Sequence, residues 1–235
     1  METLYRTKTN HSISTAKATQ LFWMGRYAER VYATLHQLRK HFDIMIDEDE
    51  QAYVSFCNKM GIENKYVSSD DFLQRYLFDT TNEDSVLNML ERVNDNTILL
   101  REIITSETLS YIQISISYMK SIEAKKQNML ELQQITDYIL AFWGSIDERI
   151  LSSQIRQTIK FGKFTESLDL HLRFNYPFNR IEQLYLRLLD TVANDDYICD
   201  EIGLMQLKGL ITFDNYKEAQ TLFVINGLFS QKIKQ

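Results

Sequence analysis

Residues 20–35 read QLFWMGRYAERVYATL, and they lie inside a longer pattern that decides the fold. Apolar side chains fall at Leu21, Met24, Ala28, Val31, Leu35, Leu38, Phe42 and Met45, in steps that alternate three and four. That spacing keeps one stripe of a helix continuously apolar, the seam that packs in bundles. Ser14 or Thr15 supplies a cap, and the acidic run DEDE from Asp47 suits the N-terminus of the next helix, so the pattern predicts a helix over 15–47.

Composition extends this to the whole chain. Among 235 residues there are 7 glycines and 1 proline, too few for the frequent turns of a strand-rich fold. The expected class is all-α, a multi-helix bundle, with a polar tail over 1–13 and a single helical domain over 14–235. Further helices are expected over about 49–60, stopped by Gly61; 70–78, capped by Ser68 or Ser69; and 83–94, capped by Asn82. The stretch 96–123 should break or restart at Thr105 and Ser106, followed by helices over about 127–150, 153–174 and 178–193. Pro177 closes the second of these, and Gly203, Gly209 and Asp214 punctuate the end of the chain.

Function classes narrow in the same way. A net charge of -6 disfavours a nucleic-acid groove, which needs a basic excess. No run of 18 apolar residues is present, so no membrane span is expected, and Cys57 and Cys199 read as reduced, buried thiols of a cytoplasmic protein. A dimetal carboxylate bundle needs Glu-x-x-His pairs. None of His11, His36, His41 and His171 follows a glutamate by three, so no metal or cofactor is expected. His11, His36 and His41 read as tail or helix-surface residues.

The motif within the quoted stretch is a glycine one turn before a glutamate, Gly25 and Glu29, with Trp23, Arg26, Tyr27 and Arg30 around it. Residues i and i+4 share a face, so the pair sets bare backbone beside a carboxylate. Gly25 and Glu29 fall on one flank of the seam, Trp23, Arg26 and Arg30 on the other. A shift of 137 residues superimposes QTIKFGKFTESLDLHL (157–172), matching Gly25 to Gly162, Glu29 to Glu166, Arg26 to Lys163 and Tyr27 to Phe164. A third such step, Gly144 to Glu148, lies in FWGSIDERI. Glycine inside a helix costs about 1 kcal/mol against alanine, which close helix approach offsets. The two motif helices are therefore expected to cross at Gly25 and Gly162. Glu29 and Glu166 then serve either as buried carboxylates paired with arginine or as an acid and base in a shared pocket.

At LFWMGRYAER the chain resembles the bacterial α-E family, all-helical domains named for a glutamate-containing helical motif. Similar segments follow in the family's order: TILLREIITSETLSY (97–111), with Arg101 and Glu107, then FWGSIDERI and FGKFTES. At 163 and 167, where the family tends to arginine, this chain has Lys163 and Ser167, which cannot reproduce a planar guanidinium fork. The resemblance implies partners: a circularly permuted ATP-grasp protein, a transglutaminase-like protein and a peptide substrate, with a homo-oligomer also compatible. The expected function is a helical binding and accessory module of a peptide-ligating or peptide-modifying system, presenting a Glu/Arg-lined cleft. An enzyme using paired glutamates on amide bonds and a purely structural scaffold are the alternatives. The binding set is Trp23, Gly25, Arg26, Tyr27, Glu29, Arg30, Arg101, Glu107, Glu148, Gly162, Lys163 and Glu166, with Glu29 and Glu166 the catalytic candidates.

Overall fold

A computed structural model describes residues 13–125, 129–192, 199–211 and 218–229. Among the described residues the fold is all-α: α1 (Thr15–Asp47), α2 (Ala52–Met60), α3 (Ser69–Phe78), α4 (Val86–Leu99), α5 (Ser106–Lys125), α6 (Leu132–Arg149), α7 (Ser153–Arg173), α8 (Phe178–Val192), α9 (Glu201–Ile211) and α10 (Glu218–Asn226). A short 3-10 turn, Met129–Glu131, leads into α6, and Cys199 and Phe229 form an isolated bridge. No helix among them is long and apolar enough to cross a membrane.

Local chemistry sets the helix ends. Ser14, Ser68, Ser85 and Ser152 each accept a backbone N–H of the first turn of α1, α3, α4 and α7. Gly61 ends α2 in the left-handed conformation at φ 69°, where glycine carries no steric penalty. Asn175 plays that part after α7 at φ 51°, with the Tyr176 N–H turned back to the His171 carbonyl. The restart expected at 105–106 is a full break: Leu100 closes α4, and the Thr105 hydroxyl accepts the Thr108 N–H at the start of α5.

Three expectations need correction. The fourth helix starts at Val86 behind Ser85, not at 83: Asn82 Oδ1 closes a local turn on the Asp84 N–H and accepts from Lys65, its amide donates to Tyr66, and the Ser85 hydroxyl takes the Asn88 N–H. Gly203 and Gly209 lie inside α9 and break nothing, and Asp214 falls outside the described residues. His41 is buried edge-on against Phe56 and Phe174; burial lowers its pKa, and Nδ1 lies 3.0 Å from the Gln37 carbonyl. His36 is exposed as expected, and His11 falls outside the described residues.

The central feature is α1 against α7. The two run in the same direction, with Gly25 beside Ile159, Arg30 on Glu166 and His41 against Phe174. The larger core cluster joins α1 to α2–α6 through residues such as Met24, Phe56, Phe72, Leu90 and Phe142. The smaller joins Phe22 and Phe161 to α8–α10. Cys57 and Cys199 are both buried, and burial pushes the Cys57 thiol up to about 11.

Candidate functional site

Gly25 and Gly162 are where the backbones of α1 and α7 touch. A Cβ on Gly25 would stand 2.1 Å from the Ile159 carbonyl oxygen, and one on Gly162 would stand 2.0 Å from that of Phe22. The same imagined atoms would meet the backbone nitrogens of Lys163 and Arg26, each at 3.1 Å. These contacts are reciprocal under the 137-residue repeat, since Phe22 corresponds to Ile159 and Arg26 to Lys163. The crossing is thus a local pseudo-two-fold in which each glycine faces the other helix's carbonyl, the setting of weak Cα–H···O contacts. Gly144, the third motif glycine, has nothing within 4 Å of its Cβ position and makes no crossing.

The close approach brings the motif's charges together. Glu166 is 2% exposed and has both oxygens occupied. Arg26 Nε donates to Oε2 at 2.7 Å with Nη2 at 2.6 Å, and Arg30 Nη1 donates to Oε1 at 2.8 Å. Burial works to raise the Glu166 pKa, but the two guanidiniums outweigh it and hold the carboxyl below its ordinary range. Burial likewise works to lower the pKa of Arg30, and Glu166 reverses this to raise it. Arg26 also packs over the Trp23 ring, 5.2 Å from its centroid, and donates to Asn226 Oδ1 at 3.0 Å. Asn226 passes the chain on, its amide donating to Asp169 Oδ2 at 2.9 Å, while Arg173 pairs with the other oxygen of Asp169. α10 is thereby hydrogen-bonded to the crossing through Asn226, beside the apolar cluster that Val224 and Ile225 share with Phe22 and Phe161.

Glu29 occupies the equivalent place in the other half and fares differently. The counterparts of Arg26 and Arg30 are Lys163 and Ser167, so Glu29 faces one ammonium and one hydroxyl instead of two guanidiniums. It is 5% exposed, and Oε2 has no hydrogen-bond partner. Burial raises its pKa, with Lys163 and the Ser167 hydroxyl only partly opposing, so the neutral form is favoured relative to an ordinary glutamate. Lys163 itself is lowered by burial and lies 4.1 Å from the Trp143 ring centroid. With no guanidinium in this half, one carboxylate is under-compensated.

Two expectations change here. Gly25 with Glu29 and Arg26 with Arg30 do not mark separate flanks, because all four turn toward α7. They do not line an open cleft either: Glu29, Glu166 and Arg26, at 7% exposure, are sealed between the helices. The two carboxyls have pKa values pushed apart, as an acid–base pair requires, yet neither is placed where a substrate atom could reach it.

The remaining candidates lie elsewhere. Trp23 is 38% exposed, and the Tyr27 hydroxyl accepts from Arg92 Nη1 at 3.3 Å. Arg101, Glu107 and Glu148 are exposed, Glu107 facing Arg149 at 3.8 Å, and none is bonded to the crossing among the described residues. Sequence reasoning missed Asp169, Arg173 and Asn226. Asp169 carried a signal, standing three residues after Glu166 on the same helix; Asn226 carried none. Among the described residues no group of three or more His, Cys, Asp or Glu is arranged to hold a metal ion.

Residues 15–216 match the sequence model of a family described as a predicted alpha-helical domain with a conserved ER motif. Glu-Arg occurs here as Glu29-Arg30, Glu91-Arg92 and Glu148-Arg149, and only the first has its glutamate buried. No curated protein and no solved structure matches the chain.

Proposed function

This chain belongs to the Alpha-E family, and from that premise we propose that it is a helical binding and accessory module of a peptide-ligating or peptide-modifying system, not an enzyme in its own right. The observation that carries this reading is the state of Glu166. A base must be basic enough to take a substrate proton and placed to reach it, whereas two guanidiniums hold this carboxylate below its ordinary pKa and it is out of reach of solvent. The Gly/Glu/Arg motif then works as a frame. It fixes α1 on α7 and, through Asn226, holds α10 in place.

Recognition falls to the exposed faces that this frame positions. The partner class rests on the family resemblance: a circularly permuted ATP-grasp protein, with a transglutaminase-like protein second, and a peptide substrate shared between them. Size-exclusion chromatography of the purified chain with an ATP-grasp protein from the same genome tests this. Co-elution, with no amide-bond turnover by the chain alone, is the expected result. Separate elution, or turnover by the isolated chain that Glu166→Gln abolishes in a folded protein, would overturn it.

A further inference from the structure

From the groove between α1 and α6 we infer a seat for an acidic peptide segment, a glutamate side chain entering the cavity there. The inference rests on the module reading above and names the chemistry of what the module binds.

The cavity has a volume of about 80 Å³, and Tyr32, His36 and Arg39 of α1 face Gln133, Thr136 and Leu140 of α6 across it. At roughly 30 Å³ for each water in the liquid, that is space for two or three waters, the size of one carboxylate with part of its stem. Tyr32, His36 and Arg39 can donate into it, while the Thr136 hydroxyl donates to the Gln133 backbone carbonyl. Arg39 spends one N–H on the Gln133 carbonyl at 2.9 Å and keeps four for a ligand. The Tyr32 hydroxyl and the His36 ring stand beside it. Gln133 turns its own amide away, to Thr136 and Asp137. Leu140, with Leu35 and Leu132, gives the apolar wall that the two methylenes of a glutamate need.

Charge continues beyond the cavity in the same sense. Lys40 lies on the Tyr176 ring, 5.4 Å from its centroid, and that ring stacks on His171 at 4.1 Å. Arg180 acts on His171 as well, as do His36 and Lys40. Arg39, Lys40 and Arg180 make no ion pair among the described residues, although most other arginines of the fold do. Among the described residues Asp137 is the carboxylate hydrogen-bonded to the wall, accepting from Gln133, and it acts with the buried Glu29 on Tyr32. In a chain of net charge -6, Arg39 in the cavity wall with Lys40 and Arg180 beyond it makes a surface suited to a negative partner.

The test uses the full chain and a fluorescein-labelled octapeptide of glutamate, with glutamine and lysine octapeptides as comparators, read by anisotropy. The glutamate peptide should bind, and more weakly as salt rises; the comparators should not. Arg39→Gln should weaken binding about tenfold, the worth of a charge-assisted hydrogen bond. Leu140→Trp, which fills the cavity without changing charge, should weaken it comparably, and Lys120→Gln on α5 should change nothing. Equal binding of the glutamine peptide, indifference to Arg39→Gln or Leu140→Trp, or equally tight binding of a single-stranded oligonucleotide would each overturn the inference. If the ATP-grasp protein co-elutes while the glutamate peptide fails to bind, this inference falls and the module reading stands.

Discussion

Replacing Gly25 with alanine adds one methyl group, and the crossing has no room for it. The new carbon would stand 2.1 Å from the Ile159 carbonyl oxygen and 3.1 Å from the Lys163 nitrogen, both backbone atoms that cannot swing aside as a side chain would. To restore van der Waals contact, α7 must retreat by about 1.3 Å. That movement also stretches the 2.7 Å bond from Arg26 to Glu166, in a place where neither group can turn to water. Overpacking of this kind costs about 3 kcal/mol at the upper end of its usual range, against which alanine returns about 1 kcal/mol of helix propensity. The net loss of roughly 2 kcal/mol corresponds to a fall in Tm of about 4–8 °C for a chain of this length. Gly144→Ala is the internal control. The chemical change is the same, but nothing lies within 4 Å, so propensity alone acts and Tm should rise by about 2–4 °C. Thermal and urea denaturation of the two variants side by side gives the answer. If Gly25→Ala is as stable as Gly144→Ala, the helices are not in backbone contact and the reasoning fails.

Other expectations follow from the asymmetry of the two carboxyls. Glu166→Gln strands two largely buried guanidiniums and should cost about 3–5 kcal/mol at pH 7, whereas Glu29→Gln removes an under-compensated charge and should be neutral or stabilising. Their pH dependences oppose each other: the Glu166 contribution is present above the ordinary glutamate pKa and lost as pH falls through its lowered value, while the Glu29 contribution is present below the ordinary value and lost as pH rises through its raised one. Urea titrations from pH 4 to 8 should therefore show Glu29→Gln gaining on the unsubstituted protein as pH rises. Asn226→Ala removes the link from Arg26 to Asp169 and should cost about 2 kcal/mol, with hydrogen exchange of α10 amides accelerating ahead of those of α7. His41 and His171 are both lowered, burial first among the causes, so stability should begin to fall as pH drops below about 6.5.

Much of the fold was legible because it rests on local signals. The seam from Leu21 to Met45 sets α1 to the residue, and Ser68, Gly61 and Pro177 mark ends that the backbone respects. The start of α4 was not, because Asn82 and Ser85 are equally good caps in sequence and only the structure shows Asn82 turned to Asp84, Lys65 and Tyr66 and Ser85 on Asn88. Gly203 and Gly209 look like stops and lie within α9, since a glycine's tolerance of a turn does not oblige it to make one. At the site, the repeat foretold the α1–α7 crossing through Gly25 and Gly162 and offered Gly144 on the same grounds; only packing distinguishes them. The repeat also contained an asymmetry, Lys163 and Ser167 in the places of Arg26 and Arg30, but only the crossing shows that Glu29 is the carboxylate they leave poorly paired. Burial was the illegible part, because alternating charges around a glycine read equally well as a cleft rim or as a sealed crossing. Asn226, 200 residues from Arg26, could be found only once α10 was seen against α7.

The central claim is that the Gly/Glu/Arg motif frames the module and that recognition lies outside it. Isothermal titration of a circularly permuted ATP-grasp protein from the same genome into the unsubstituted chain and into Glu29→Gln, with the Tm of each preparation recorded, tests it most directly. The account predicts that both proteins are folded and bind with equal affinity. A Glu29→Gln protein that keeps its Tm and yet loses the partner would contradict it, because the motif would then be the recognition surface itself.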